Sequence, residues 1–483
     1  MNEQTLNLID KLCNYYIDIG VAPGIAIAIV EGGNVLMKNV YGIQSTLNKK
    51  PLNYDTLFQM ASVSKFITAH VLAKFTNEWE TKIKSIWPDF TLDNQTLSSM
   101  ITLKDCLSHR SGIVNDHSGD VQENFGYDLV DIINFMKYTK TDVDYFRNIF
   151  KYQNYMFTLG TYAILDKLGV SIFDAYDNFF NLLEMFDSTI NQQVFIDSDN
   201  VALPHVLAPL HFPMENEGDY YKYVYEKCHK FGPNQKYWNP LLLTKTGNQI
   251  PSGGVICSLN DLTNFLLFLL DENQDIISTD NIQKIRTPAI SISQTVSYGL
   301  GCFISADTYS HTGVFAEGID TAININPNKN FGFVILVNCF PSPISSILTN
   351  VILGLTDIDK VVVPYWSQIC SLINYIQKPS GVSVSDHIQI NKKFYNNFYG
   401  EISINGDYIS LGKLAAIPIL WTDYSSGKFM VKTLDNNNLT GFFSLDGDIL
   451  TTKIGNIDIH YSSNKINNII DDQEKSINHS LPY

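Results

Sequence analysis

Apolar residues recur every three or four positions from Leu6 to Ile19, which predicts a helix, and Val21-Ala22-Pro23-Gly24 then turns the chain. Residues 25–30 and 35–42 flank Glu31-Gly32-Gly33-Asn34, the pattern of a β-hairpin. The period becomes helical again at Phe66, Ile67, Val71, Leu72 and Phe75. Residues 103–113 read as a short helix closed by a turn at Gly112, and residues 151–160 run from a loop into a helix that continues through Ile164 and Leu168. After Ala202-Leu203-Pro204-His205 comes loop-like, aromatic-rich sequence to Trp238. Pro251-Ser252-Gly253-Gly254 forms a tight turn, and Ser258 with Asp261 caps an apolar helix through Leu270. Residues 298–304, 310–325 and 331–338 read as strands able to complete the sheet begun at Ile25, with Pro327-Asn328-Lys329-Asn330 turning between the last two.

A helical stretch reaches about Tyr375, and Gln377-Lys378-Pro379-Ser380-Gly381 opens a segment with the composition of a linker. Beyond it the pattern shortens to alternating strands at 398–404, 408–411, 417–421, 429–432, 439–444, 449–453 and 457–461, separated by turns such as Asp446-Gly447-Asp448. This predicts a small antiparallel barrel or sandwich, followed by a polar tail from Asn464 to Tyr483.

Composition narrows the function classes. The 483 residues are 45% hydrophobic and 17% charged, enough to bury a large core in two or three domains. A formal charge of −16 argues against nucleic acid and anionic membrane as partners, because both need clustered Lys and Arg. Seven scattered cysteines without a Cys-x-x-Cys pair read as buried thiols, neither a disulfide frame nor a zinc site. The N-terminus lacks a basic segment followed by an apolar run, so no signal peptide and an intracellular location are expected. The apolar runs all fall short of the ~18–20 residues that cross a bilayer.

Three short stretches carry candidate chemistry. Ser62 and Lys65 stand one turn apart at the start of a helix, where free amide N–H groups and the helix dipole favour an anion and the amine can hold or remove the hydroxyl proton. The plain alternative is a capping serine beside a solvated lysine. Tyr152 and Asn154 stand at the mouth of a helix and can point into one cleft, the phenol as proton carrier and the amide as donor to a substrate carbonyl; a helix cap with a packed aromatic is the alternative. His311-Thr312-Gly313 ends a strand edge with a cationic or hydrogen-bonding ring, a hydroxyl and a backbone that a ligand can approach. His109 and Arg110 read as buried residues that pin a loop. His109, His117, His205, His211 and His311 show no metal-ligand spacing, so no metal or cofactor is expected.

Ser62-Val63-Ser64-Lys65, Tyr152-Gln153-Asn154 and His311-Thr312-Gly313, in this order, resemble the serine β-lactamase and penicillin-binding protein superfamily, in its class C-related, esterase- and D-peptidase-like branch. Pro23-Gly24-Ile25-Ala26, Ser108-His109-Arg110-Ser111-Gly112, Pro251-Ser252-Gly253-Gly254 and Tyr298-Gly299-Leu300-Gly301 extend the likeness from about Val21 to Asn338. The resemblance implies an α/β (α+β) fold: an antiparallel five-stranded sheet flanked by helices with an inserted helical domain. It implies a domain over 1–376, a linker at 377–393, a lipocalin-like β-barrel over 394–463 and a tail over 464–483. It further implies that Ser62 accepts the acyl group, Lys65 is its proton partner and Tyr152 the general base or acid. Asn154, His311, Thr312 and Gly313 would bind substrate, with the backbone N–H groups of Ser62 and Val314 as oxyanion hole. Histidine where many relatives carry lysine puts a fixed positive charge in doubt, which favours a small ester, amide or D-amino-acid peptide as substrate over β-lactams. The competing reading is a catalytically weak or inactive binding or filament-forming protein on the same fold; homo-oligomerisation stays open.

Overall fold

The computed structural model describes residues 1–18, 20–114, 122–123, 125–206, 239–240, 247–271, 275–315, 318–340, 342, 344–355, 391–397, 399–405, 408–423, 428–432, 440–446, 448–454 and 457–463. The expected aromatic-rich stretch before Trp238, the helical stretch to Tyr375, most of the linker and the polar tail lie outside them. The chain divides into two compact units: residues 1–118 with 139–377, and residues 119–138 with 378–483.

In the first unit, helix α1 (Glu3–Asp18) leads into strands β1 (Gly24–Glu31) and β2 (Asn34–Gly42). Helices α2 (Val63–Phe75), α3 (Leu103–Leu107), α5 (Asn154–Leu168), α6 (Ile172–Leu182), α7 (Leu259–Asp271) and α8 (Thr279–Arg286) follow, α4 (Leu129–Phe135) belonging to the second unit. Strands β3 (Ile290–Ser291), β4 (Ser297–Tyr298), β5 (Phe303–Ser305), β6 (Thr308–Phe315), β7 (Ile319–Asn326) and β8 (Phe331–Val337) precede helix α9 (Ile344–Ile352). The sheet has eight antiparallel strands in the order β2-β1-β8-β7-β6-β5-β4-β3.

This corrects the expected five strands. Five strands of seven to nine residues do form the body of the sheet, and Ile25 pairs with Val337 to join the two sequence-distant groups. Three further strands of two or three residues extend its edge. The expected strand at 298–304 is broken because Gly299 donates its N–H to the Cys302 carbonyl, turning the chain between β4 and β5.

Alternation in β1 and β8 feeds two cores. Ala26, Ala28, Val30, Val334 and Leu336 face α2 and α7, whereas Ile25, Ile27, Ile29, Phe333, Ile335 and Val337 face α1 and α9. Helix α2 has no solvent face from Val63 to Ala73: every residue there is buried, the polar Ser64, Lys65, Thr68 and His70 with the apolar ones. Among the described residues no single helix is long and apolar enough to cross a membrane, and no group of three or more His, Cys, Asp or Glu is placed to hold a metal ion.

The second unit is a closed antiparallel barrel of eight strands: β9 (Asn391–Asn396), β10 (Gly400–Asn405), β11 (Tyr408–Leu411), β12 (Leu414–Asp423), β13 (Lys428–Lys432), β14 (Thr440–Asp446), β15 (Ile449–Ile454) and β16 (Ile457–Ser462). Tyr395 pairs with Ser462 to close it. Strand β9 begins inside the segment read as linker, so the barrel starts at Asn391. Phe394, Ile402, Ile404, Ile409, Leu411, Leu450 and Tyr461 are buried.

An excursion from the first half of the chain belongs to this unit. Helix α4 (Leu129–Phe135) opens with a capping box between Asp128 and Asp131, and the Lys413 ammonium pairs with both carboxylates. Just before it, the Phe125 carbonyl accepts the Lys413 N–H at 2.9 Å, and the Tyr127 hydroxyl accepts the Glu401 N–H at 3.3 Å. The Tyr127 ring lies flat on backbone: a Cβ at Gly400 would stand 2.2 Å from its hydroxyl oxygen and one at Gly412 2.5 Å from its ring.

Candidate active site

Ser62 sits at the start of α2 in a turn of unusual backbone. Ala61 has φ +45°, a left-handed conformation that costs a non-glycine residue ~1–3 kcal/mol and persists only where the surroundings over-determine it. Met60 and Ala61 give their carbonyls to the N–H groups of Val63 and Ser64, so the turn feeds directly into the helix. Ser62 itself is half-buried and makes no side-chain capping bond. Its hydroxyl is thus not consumed by the helix, which disposes of the capping-serine alternative.

Lys65 is 0% exposed, which disposes of the solvated-lysine alternative as well. Its Nζ donates to Asn154 Oδ1 at 2.7 Å and to the Ser252 carbonyl at 2.8 Å, and stands 3.3 Å from Ser62 Oγ. Burying an amine costs several kcal/mol unless oxygen acceptors replace its water, and these oxygens do so. Ser252 lies in a one-turn helix, Ile250–Gly253, and the segment 251–255 is tied to α2 and the turn before it. Thr68 donates its hydroxyl to the Pro251 carbonyl at 2.7 Å, Val255 donates its N–H to Ser64 Oγ at 3.0 Å, and Met60 donates its N–H to the Val255 carbonyl at 2.9 Å. The Pro-Ser-Gly-Gly turn was legible in the sequence; that its carbonyl grips the lysine was not.

The tyrosine arrives from another loop. Tyr152 is half-buried, and Lys65 Nζ lies 4.7 Å from the centre of its ring. The His109 ring lies 4.2 Å from that of Tyr152 at a 35° tilt. The loop that carries His109 is anchored at Asp105, a wholly buried carboxylate that accepts Arg147 Nε at 3.0 Å and Nη2 at 2.8 Å, with Arg110 Nε at 2.8 Å and the Thr102 cap completing its shell.

Strand β6 passes across the front of the serine turn. Thr321 of β7 donates its hydroxyl to the Met60 carbonyl at 2.9 Å, and a Cβ at Gly313 would stand 2.4 Å from Met60 O and 3.1 Å from Ser62 N. Only glycine permits this approach, which brings the backbone of Gly313-Val314 beside the N–H of Ser62. The Thr312 and Val314 side chains face outward. Gly313→Ala is therefore expected to lower stability by ~1–3 kcal/mol through overpacking, read as a shift of the urea midpoint at unchanged slope.

One expectation gains a second contact and another needs correction. Asn154 presents its Oδ1 to Lys65 at 2.7 Å, so its carbonyl end holds the amine as well as bearing the amide N–H groups expected to meet substrate. His311 is buried, 2% exposed, and spends both ring nitrogens internally: Nδ1 lies 2.6 Å from the Thr312 carbonyl and Nε2 3.0 Å from the Tyr298 hydroxyl. A carbonyl can only accept, so Nδ1 carries the hydrogen and Nε2 accepts from the tyrosine. Burial, then the Lys65 charge, push this ring down to about 3, and the same two causes hold His109 well below the ordinary histidine value. His311 thus adds no second cation beside Lys65.

A family model described as Beta-lactamase matches residues 10–352. Among curated proteins, the chain is 28% identical over 165 residues to "Unguisins hydrolase ungD'" of Aspergillus campestris, covering 32% of this chain and 30% of that protein. It is 22% identical over 346 residues to "Protein flp" of Staphylococcus aureus strain MW2, covering 68% and 62%. The chain thus spans less than two thirds of the curated relatives it matches. Among solved structures, it overlays on an octameric penicillin-binding protein homologue from Pyrococcus abyssi with TM-score 0.59 at 18% identity, covering 95% of this chain and 100% of the other. It overlays on a class C beta-lactamase with TM-score 0.57 at 15% identity, covering 73% and 97%. At these identities the overlays speak for the fold.

Proposed function

Because the chain belongs to the Beta-lactamase family, matched over residues 10–352, we propose that it is a serine hydrolase working through an acyl-enzyme at Ser62. The observation that carries this reading is the buried Lys65 amine, held by Asn154 and the Ser252 carbonyl at 3.3 Å from Ser62 Oγ. In the proposed reaction Ser62 Oγ attacks the substrate carbonyl while its proton passes to the Lys65–Tyr152 pair. The oxyanion is met by the N–H groups of Ser62 and Val314, an arrangement supported by the close approach of Gly313 to Ser62 N. Tyr152 then hands the proton to the leaving oxygen or nitrogen, and water, deprotonated by the same pair, releases the acyl group and restores the serine. Asn154 and the Thr312-Gly313 edge line the substrate side.

A small ester, amide or D-amino-acid peptide suits this site better than a β-lactam, whose carboxylate asks for a cation where His311 is neutral and internally bonded. Incubation with a fluorophosphonate and with a fluorescent penicillin, read by intact mass and peptide mapping, is expected to show a single adduct on the peptide containing Ser62. Folded protein that takes up neither probe would turn the reading to a non-catalytic binding protein on the same fold.

A further inference from the structure

His109 lies outside the reacting groups assigned above, yet its geometry is unusual in three respects. Its backbone is left-handed, φ +57°, which for histidine is a strained state. It is wholly buried, and its Nε2 has no hydrogen-bond partner. Its remaining polar atoms go to the residues immediately before and after Tyr152: the His109 carbonyl accepts the Lys151 N–H at 2.9 Å, and His109 Nδ1 accepts the Gln153 N–H at 3.0 Å. Because Nδ1 accepts, the hydrogen of the neutral ring is on Nε2, and the ring sits among Tyr152, Tyr298 and Phe150.

The geometry points to His109 as the positioning residue of this site: by accepting the amides on both sides of Tyr152 it fixes the tyrosine against Lys65 and delivers Asn154, the next residue but one, to the same amine. This rests on the hydrolase reading. Two hydrogen bonds that bracket a single residue leave its Cα little freedom to rotate, and the ring at 4.2 Å limits the motion of the phenol. Left-handed backbone at 109 is what lets the carbonyl and the ring of one residue reach two amides that are two positions apart. The strain is thus spent on placing a reacting group, and a displacement of about 1 Å at such a group typically costs ~10²-fold in rate.

Three variants separate placement from packing. His109→Asn keeps an acceptor near the position of Nδ1 and suits left-handed backbone. His109→Phe keeps a ring and loses the acceptor. His109→Gly loses both but relieves the backbone, so that it folds even where the phenylalanine does not. Ester hydrolysis is measured well below each thermal midpoint, with Ser62→Ala alongside. The asparagine variant is expected to keep kcat within ~5-fold, whereas the phenylalanine and glycine variants lose ~10²-fold in kcat at KM within ~3-fold. Phenylalanine or glycine at wild-type kcat, or asparagine as slow as both, overturns the positioning role while inactive Ser62→Ala leaves the hydrolase reading standing. Full activity in Ser62→Ala overturns the reading and the positioning role with it.

Discussion

Ser62→Ala is expected to lower kcat/KM for an activated ester by ~10⁴–10⁶-fold and to abolish the covalent adduct, while the thermal midpoint moves by no more than ~2 °C. The two halves of this expectation have different sources. The rate falls because the hydroxyl that attacks is removed, and residual catalysis from binding and the oxyanion donors cannot replace it. Stability stays because Ser62 contributes little to it. The serine has helical dihedrals, φ −66° and ψ −10°, which alanine adopts freely, and it caps nothing. Lys65 keeps its bonds to Asn154 and the Ser252 carbonyl after the change. A serine that served the helix as a cap would behave in the opposite way, losing about 1 kcal/mol of stability on replacement with activity retained. Parallel measurement of ester turnover and thermal unfolding decides between them.

Acidification is expected to unfold the first unit around pH ~5, well above the range in which carboxylates alone drive the transition. Four of its histidines are buried as neutral rings: burial pushes His70 and His311 down to about 3, His205 to about 4 and His109 well below its ordinary value. Geometry enforces this at two of them. His109 Nδ1 accepts the Gln153 N–H and His205 Nε2 accepts the Thr46 N–H, and neither nitrogen can take a proton without breaking that bond. For a histidine depressed in the folded state, the sign is that stability is complete above the unfolded value near 6.5 and is lost as pH falls through it, because only the unfolded chain then binds protons. Each such ring takes away ~1.4 kcal/mol per pH unit. Four together remove ~5 kcal/mol per unit from a total of ~5–15 kcal/mol, and below pH 6 Asp261 and Asp320, whose carboxyls burial raises to about 6, offset about half of that. Circular dichroism followed from neutral pH downward checks this, and a midpoint in urea that stays flat between pH 6.5 and 5 would contradict it.

Much of the site was legible in the sequence because it is built from local rules. A small polar residue before an apolar helical run, a lysine one turn later and a loop-to-helix tyrosine are patterns that periodicity and capping chemistry reveal. The contacts that convert these pieces into a site are not local. The carbonyl that holds Lys65 lies 187 positions away in the chain, and no spacing rule links the two. Asn154 could present either end of its amide, and only the buried amine facing it decides. His311 read as a substrate-binding ring at a strand edge, whereas the structure buries it with its nitrogens on the Tyr298 hydroxyl and the Thr312 carbonyl. The fold follows the same division. Alternation identified the long strands, but the two- and three-residue strands at the sheet edge carry too few residues for any period to register.

The excursion at residues 122–135 has a consequence for how this chain is made and how it can be divided. Synthesis at ~5–20 residues per second delivers Tyr127 tens of seconds before the last barrel strand exists, so its ring and the acidic pair at Asp128 and Asp131 must wait for Gly400, Gly412 and Lys413 to arrive. A cut in the natural place, between residues 377 and 390, would strand the arm on one fragment and its seat on the other. The barrel is therefore not a self-contained cassette that begins after residue 377. The Glu401 and Lys413 N–H groups and the Lys413 ammonium find their partners on a piece translated long before them, and transplanting the barrel would require carrying residues 119–138 along.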